Sequence, residues 1–228
     1  GKFSRNLIKG KSLYAKKVLS MHGGGIEDTI ITSRSGSALF SYDIKLIDSS
    51  ASENVTSASQ TFFKAIAGII DLSKNNPDSV IAPYQSDFKS NIFKVQAYGT
   101  SKISTRFNSK EEFTQVESKI KKLVALPKSK QKLYQMHFDG GVTRSPMIGN
   151  DVTSELFQKI KEIAKGIDTR IREEHRWSSS DICSIGSDKP KIDGLGAIGG
   201  FDKQKSEFIM RHSLVDRALL LSLILKEI

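Results

Sequence analysis

Four histidines, one cysteine and the carboxylates Glu173 and Glu174 are the side chains with which this chain could bind a metal, move a proton or attack a carbonyl. His22 closes the apolar run Val18–Met21 and opens the triple glycine Gly23-Gly24-Gly25. An imidazole at a strand end can ligate a metal, and it can equally be a polar loop residue. His137 alternates with Met136 and Phe138, the period of a strand, which makes it structural. His175 lies in the charged run Arg172–Arg176, a solvated face, and His212 follows Arg211 just ahead of the last helix. Glu173 and Glu174 are adjacent, and adjacent residues of a helix do not face each other, so they make no acid–base pair. Cys183 is alone, cannot form an internal disulfide and has no base implied near it; it reads as a small buried thiol.

The elements that must position these residues follow from periodicity. Apolar residues Leu7, Ile8 and Leu13 give a loose helix over residues 4–17, with Ser4 as its cap. Short strands follow at residues 18–21 and 29–33. Residues 36–47 alternate as a half-buried strand. Phe62, Phe63, Ile66, Ile69 and Ile70 then recur at helical spacing over 57–72. Residues 79–84, 91–96 and 101–107 read as three strands. Ser109 and Glu112 form a capping box, opening a helix that Pro127 ends. Phe113, Val116, Ile120, Leu123 and Val124 form its inward face. A strand at 133–138 is followed by Asp139-Gly140-Gly141, a turn. The order from residue 36 to 141 predicts a ferredoxin-like βαββαβ unit with both helices on one face of an antiparallel sheet. Beyond it, 153–169 is an amphipathic helix, 171–180 is polar, 190–200 is glycine-rich, and 214–228 is a closing helix with Leu214, Ala218, Leu221 and Leu225 inward. The class is α/β (α+β).

The formal net charge is +10. The densest basic run, Lys119, Lys121, Lys122, Lys128, Lys130 and Lys132, flanks an amphipathic helix and has no interleaved aromatics, so it reads as a solvated face rather than a nucleic-acid stripe. No apolar run is long enough to span a membrane. Cytoplasm is the expected location, with no membrane partner.

The C-terminal stretch carries a resemblance. Asp193-Gly194-Leu195-Gly196-Ala197-Ile198-Gly199-Gly200, then Phe201-Asp202-Lys203, then Ser213–Leu220 resembles the closing segment of the zinc-dependent peptidase and deacylase family of glutamate carboxypeptidase, acetylornithine deacetylase and succinyl-diaminopimelate desuccinylase. Trp177–Asp181 resembles that family's turn before its small-residue helix. Gly140–Met147 is similar to its exit from the lid domain, and Ser90-Asn91-Ile92 to a lid motif, with Lys94 in place of a Pro. Val18–Gly23 and Thr32–Gly36 are similar to the bridge into the lid.

The resemblance implies a partial catalytic domain over 1–35 and 146–228, with a ferredoxin-like lid and dimerisation domain inserted at 36–145. It implies zinc chemistry in the family, in which two ions polarise an amide carbonyl and activate water. It also implies that most ligands and the general base lie on an N-terminal part missing here. His22 stands at one remaining ligand position. Lys203 replaces the last ligand His, and an ammonium has no lone pair to give. Ser52 stands at the lid His position, where it is a weaker electrostatic stabiliser. Asn91 and Arg144 stand at substrate-binding positions; a guanidinium fork suits a carboxylate.

Three readings follow. The first is a truncated or degenerate relative, inactive alone, binding no zinc by itself and retaining a lid-mediated homodimer. The second is a zinc hydrolase completed by a missing N-terminal segment or partner chain. The third is a basic binding module for nucleic acid or protein, with nucleic acid the less expected ligand.

Overall fold

The computed structural model describes residues 2–77, 79–201 and 204–228, and the side chains of those residues from 5 onward. The chain opens with α1 (Lys2–Ser12), β1 (Val18–Leu19), β2 (Gly23–Gly24) and β3 (Thr29–Arg34). It continues through β4 (Gly36–Leu46), α2 (Glu53–Lys74), β5 (Val80–Asn91), β6 (Gln96–Phe107), α3 (Lys110–Val124) and β7 (Tyr134–Arg144). It closes with α4 (Asp151–Lys165), β8 (Arg172–Arg176), β9 (Lys191–Ile192), β10 (Gly196–Gly200), β11 (Phe208–Ile209) and α5 (Ser213–Glu227). Two compact units result. One joins Gly1–Ser35 to Arg144–Ile228, and the other is the insert Gly36–Thr143.

The insert is ferredoxin-like. Its four-stranded sheet has the order β5-β6-β4-β7, with β6 antiparallel to both β4 and β5. Alternation along β4 places Ala38, Phe40, Tyr42, Ile44 and Leu46 inside. There they meet Phe62, Ile66 and Ile69 of α2 and Val116, Ile120 and Val124 of α3 in one core. Each such side chain contributes about 1.5–3 kcal/mol by leaving water. Aromatic rings knit the layers, with Phe40 and Phe138 stacked at 5.2 Å and Tyr42 and Phe62 at 5.7 Å. The Ser109 cap of α3 forms as expected, with the return bond from Glu112 going to the residue before the cap. Ser109 Oγ accepts from the Glu112 N–H at 3.0 Å, while Glu112 reaches back to the Asn108 N–H at 2.7 Å.

Several expectations are corrected within the insert. Residues 91–96 are not a strand: β5 runs on to Asn91, the chain turns over Ile92–Val95, and β6 starts at Gln96. Asn91 Oδ1 accepts from the Lys94 N–H at 3.0 Å, the local hydrogen bond by which Asn makes turns. The apolar pair Ile92 and Phe93 mimics a strand, but both side chains are exposed. Asp139-Gly140-Gly141 is not a turn but the middle of β7. Gly140 has φ +128, and a Cβ there would lie 2.2 Å from the Leu39 carbonyl oxygen, so glycine is what lets β7 pass this close to β4. Phe63, Ile70 and Leu123 face solvent rather than the core.

The other unit is built from short pieces. β1 pairs with β9, β2 with β10 and β3 with β8, all in parallel, while β11 pairs antiparallel with β10. Ile30, Ile171, Ile192 and Leu195 pack with Leu156, Phe157 and Ile160 of α4 and with Leu220 and Ile224 of α5. The first helix starts ahead of Ser4 and stops at Ser12, so Ser4 is not its cap. The polar stretch 171–180 contains β8, a strand periodicity could not show because its residues are charged throughout.

The inward face of α5 is also corrected. Ser213, Arg217, Leu220 and Ile224 are buried, whereas Leu214 is 49% and Leu225 68% exposed. This helix is apolar on all sides, so its pattern does not choose a face. Polar anchors choose it: Ser213 Oγ accepts from the Ile198 N–H at 2.9 Å and donates to the Met210 carbonyl at 2.6 Å.

Candidate functional site

The centre of the split unit is a buried carboxylate. Asp193 has no exposed surface, and the turn into Gly194, at φ +78, holds it at the end of β9. Its Oδ2 accepts from Arg34 Nε at 2.8 Å and from Ser180 Oγ at 3.0 Å. Its Oδ1 accepts from the Gly194 N–H at 2.8 Å and lies 3.0 Å from His22 Nδ1. Arg34, itself 3% exposed, spends Nη1 on the carbonyl and hydroxyl of Ser178, at 2.7 and 3.1 Å. Burial alone would raise the Asp193 carboxyl. Arg34, Ser20, His22 and the Gly194 N–H outweigh it, so the pKa falls below its ordinary value and the group stays ionised.

His22 stands on this base. Its Nδ1 faces Asp193 and also lies 3.0 Å from Ser20 Oγ, which leaves Nε2 as the only open ring nitrogen. A histidine backed by a carboxylate in this way is a good metal ligand or proton acceptor. The ligand set stops there. Asp193 has its lone pairs filled by four donors. Among the described residues no three His, Cys, Asp or Glu side chains come together. The described residues therefore do not fit a dinuclear metal centre. Lys203, the other position of interest, lies outside the described residues.

The remaining expected residues fall as follows. Arg144 Nη2 donates to Asp181 at 3.1 Å, each about one-third exposed, while its Nε is buried without a partner among the described residues, so one arm of its fork meets the chain's own carboxylate. Ser52 and Asn91 belong to the insert. Ser52 precedes α2 in helical conformation and makes no side-chain cap, and Asn91 closes the β5–β6 turn. Glu173 and Glu174 are on a strand, not a helix. Glu173 accepts from Thr32 at 3.2 Å, and Glu174 takes Thr29 and Arg176. His175 is not merely solvated: its Nδ1 lies 2.9 Å from Ser33 Oγ and its Nε2 3.1 Å from Ser35 Oγ. Partial burial and the Arg34 charge lower its pKa despite Glu174. Cys183 is buried, and that burial pushes its thiol up, which keeps it unreactive. His212 sits at the start of α5 without capping it.

Sequence reasoning missed Asp193 as the hub and Arg34 as its counter-ion. The available signal was an arginine two residues past Thr32 at the end of the strand Thr29–Arg34, which must be paired if it is buried with that strand.

No family model matches the sequence, and no curated protein matches it either. Solved structures do match. Aminopeptidase PepT from Bacillus cereus ATCC 10987 superposes with a TM-score of 0.77 at 17% identity, over 99% of this chain and 60% of that one. A tripeptidase from Staphylococcus aureus subsp. aureus Mu50 gives 0.77 at 15% identity, over 97% and 59%. Bacillus subtilis YxeP, a dinuclear metal binding peptidase from the M20 family, gives 0.70 at 11% identity, over 97% and 60%. Nearly the whole chain therefore has the fold found in these peptidases, and it spans about three-fifths of the length of each.

Proposed function

We propose that this chain is a lid domain and part of a catalytic unit of the zinc-dependent M20 kind, without hydrolytic activity of its own, whose retained activity is self-association through the lid. The observation that carries the first half is the clamp on His22. Where the resemblance places a metal ligand, the structure has a histidine tied to a saturated, buried Asp193. Two zinc ions need several converging carboxylate and imidazole donors, and one open Nε2 does not supply them.

Self-association is supported by the insert. β5 is an edge of the sheet, and an open edge is a template for a second strand. Beside it, α2 presents Phe63, 55% exposed, and Ile70, 44% exposed, and the Phe63 ring lies 5.5 Å from Phe88 of β5. Sedimentation of the wild-type chain is expected to show a dimer that Phe63→Asp with Ile70→Asp converts to monomer. A monomer at every concentration would remove this half of the reading.

A second reading, hydrolysis completed by further polypeptide, is favoured by the outer face of α5. Leu214, Val215, Leu219 and Leu225 are each 47–72% exposed there, an apolar stripe suited to being covered.

A further inference from the structure

The insert covers only one face of its sheet with helices. On the bare face, pairing register decides which side chains meet, because residues directly opposite one another share a face. Lys45 of β4 lies opposite Tyr98 of β6, and Tyr98 lies opposite Lys89 of β5. A tyrosine is thus flanked by a lysine on each neighbouring strand. Four residues along β6, about 14 Å away at ~3.4 Å per residue, Lys102 lies opposite Tyr84. Tyr98 is 44% and Tyr84 38% exposed. The Tyr98 hydroxyl donates to Asp43 at 3.1 Å, which pins the ring while leaving a face open. Lys45, Lys89, Lys94 and Tyr98 line a groove of about 660 Å³ shared with Ser49 and Asn91. The face also carries Asp43 and Asp87, each opposite Thr100 between the two tyrosine rows, and Asp87 lies 3.4 Å from Lys89 Nζ, so the lysines left to meet an anion are Lys45, Lys94 and Lys102.

We propose that this bare sheet face binds single-stranded nucleic acid, with bases stacking on Tyr98 and Tyr84 and phosphates held by Lys45, Lys94 and Lys102. A four-stranded sheet offering aromatics from its open face can stack unpaired bases. Lysines beside the rings supply the electrostatic term that tracks a backbone. A duplex is disfavoured because its bases are already stacked on one another and the rings would have nothing to hold. The surface is invisible along the sequence, since Lys45, Lys89 and Tyr98 are brought into one row only by the strand register. It does not depend on the reading of the split unit.

The test is fluorescence anisotropy of the full chain with labelled oligouridine of about 12 nucleotides, within the usual range of single-strand site sizes. Binding is expected at about 50 mM salt and much weaker binding at about 200 mM. Tyr98→Ala is expected to weaken it about tenfold, the scale of one lost base stack. Tyr98→Phe keeps the ring and is expected to bind as wild type. Lys45→Gln or Lys94→Gln is expected to flatten the salt dependence by about 0.7 in log–log slope. Three results would each overturn the proposal: no binding at low salt, binding indifferent to Tyr98→Ala, or equal affinity for the duplex.

Discussion

The two units reach stability by different routes. The insert has one continuous sheet with two 12-residue strands and a core of aromatic and branched side chains. The split unit has strands of two to six residues and organises its centre around a buried Arg34–Asp193 pair. A hydrophobic core tolerates loss in proportion to area and cavity. A buried ion pair that loses one partner leaves an uncompensated charge. The insert is therefore expected to weaken gradually under substitution and the split unit abruptly.

Asp193→Ala sharpens this contrast most. It strands Arg34 in the interior and is expected to destabilise the split unit by about 3–5 kcal/mol. Hydrogen exchange should show amides of β3 and β8 opening while those of β4 and β6 keep their protection. Phe62→Ala is the converse. It removes a fully buried ring from the insert and is expected to cost about 3–5 kcal/mol, with the pattern of opening reversed. Global loss of protection in both variants would contradict the independence of the units.

pH should separate the units in opposite directions. In the insert, Tyr42 is fully buried and its hydroxyl has no partner, and burial raises its pKa from 10.0 to about 12. Between those values the unfolded chain loses the proton and the folded chain keeps it. Insert stability is thus full below pH 10 and falls as pH rises, by about 2–3 kcal/mol at the upper end. Tyr42→Phe should abolish the loss. In the split unit Asp193 has a lowered pKa, so its contribution is present above its ordinary value of 3.8 and is lost as pH falls through the depressed value. His175, also lowered, adds to this below 6.5, because the unfolded imidazole takes a proton that the folded one refuses. Unit-resolved melts should show the split unit failing first in acid and the insert weakening in alkali.

The smallest effects should be equal in the two units. Ser109 caps α3 and Asn150 caps α4 by the same bond, each accepting from the N–H three residues on at 3.0 Å. Ser109→Ala and Asn150→Ala are each expected to cost about 1 kcal/mol, measured by denaturant midpoint. A much larger cost for either would mean that the side chain does more than cap its helix.

What was legible in the sequence divides along the same line. The insert could be read because a period of two and a period of 3.6 are local signals: α3, its Ser109 cap and the inward face of β4 all follow from neighbours in sequence. Its misread parts, the Ile92–Val95 turn and the Gly140–Gly141 strand, depend on a side-chain hydrogen bond and on a close approach to β4. The split unit was less legible. Its hub joins Asp193 to Arg34 and His22 across more than 150 residues, and α5 is apolar on every side, so no local pattern names its buried face. His22 and Arg144 were picked out by resemblance. Their partners, Asp193 and Asp181, were visible only in the fold.

The central proposal is that the described residues hold no hydrolytic metal centre of their own, because His22 offers a single open nitrogen and Asp193 is saturated. The most direct measurement is the zinc content of chelator-free protein after dialysis against zinc, with His22→Ala alongside. The account predicts no zinc above background in either protein. Stoichiometric zinc in the wild type, lost in His22→Ala, would contradict it.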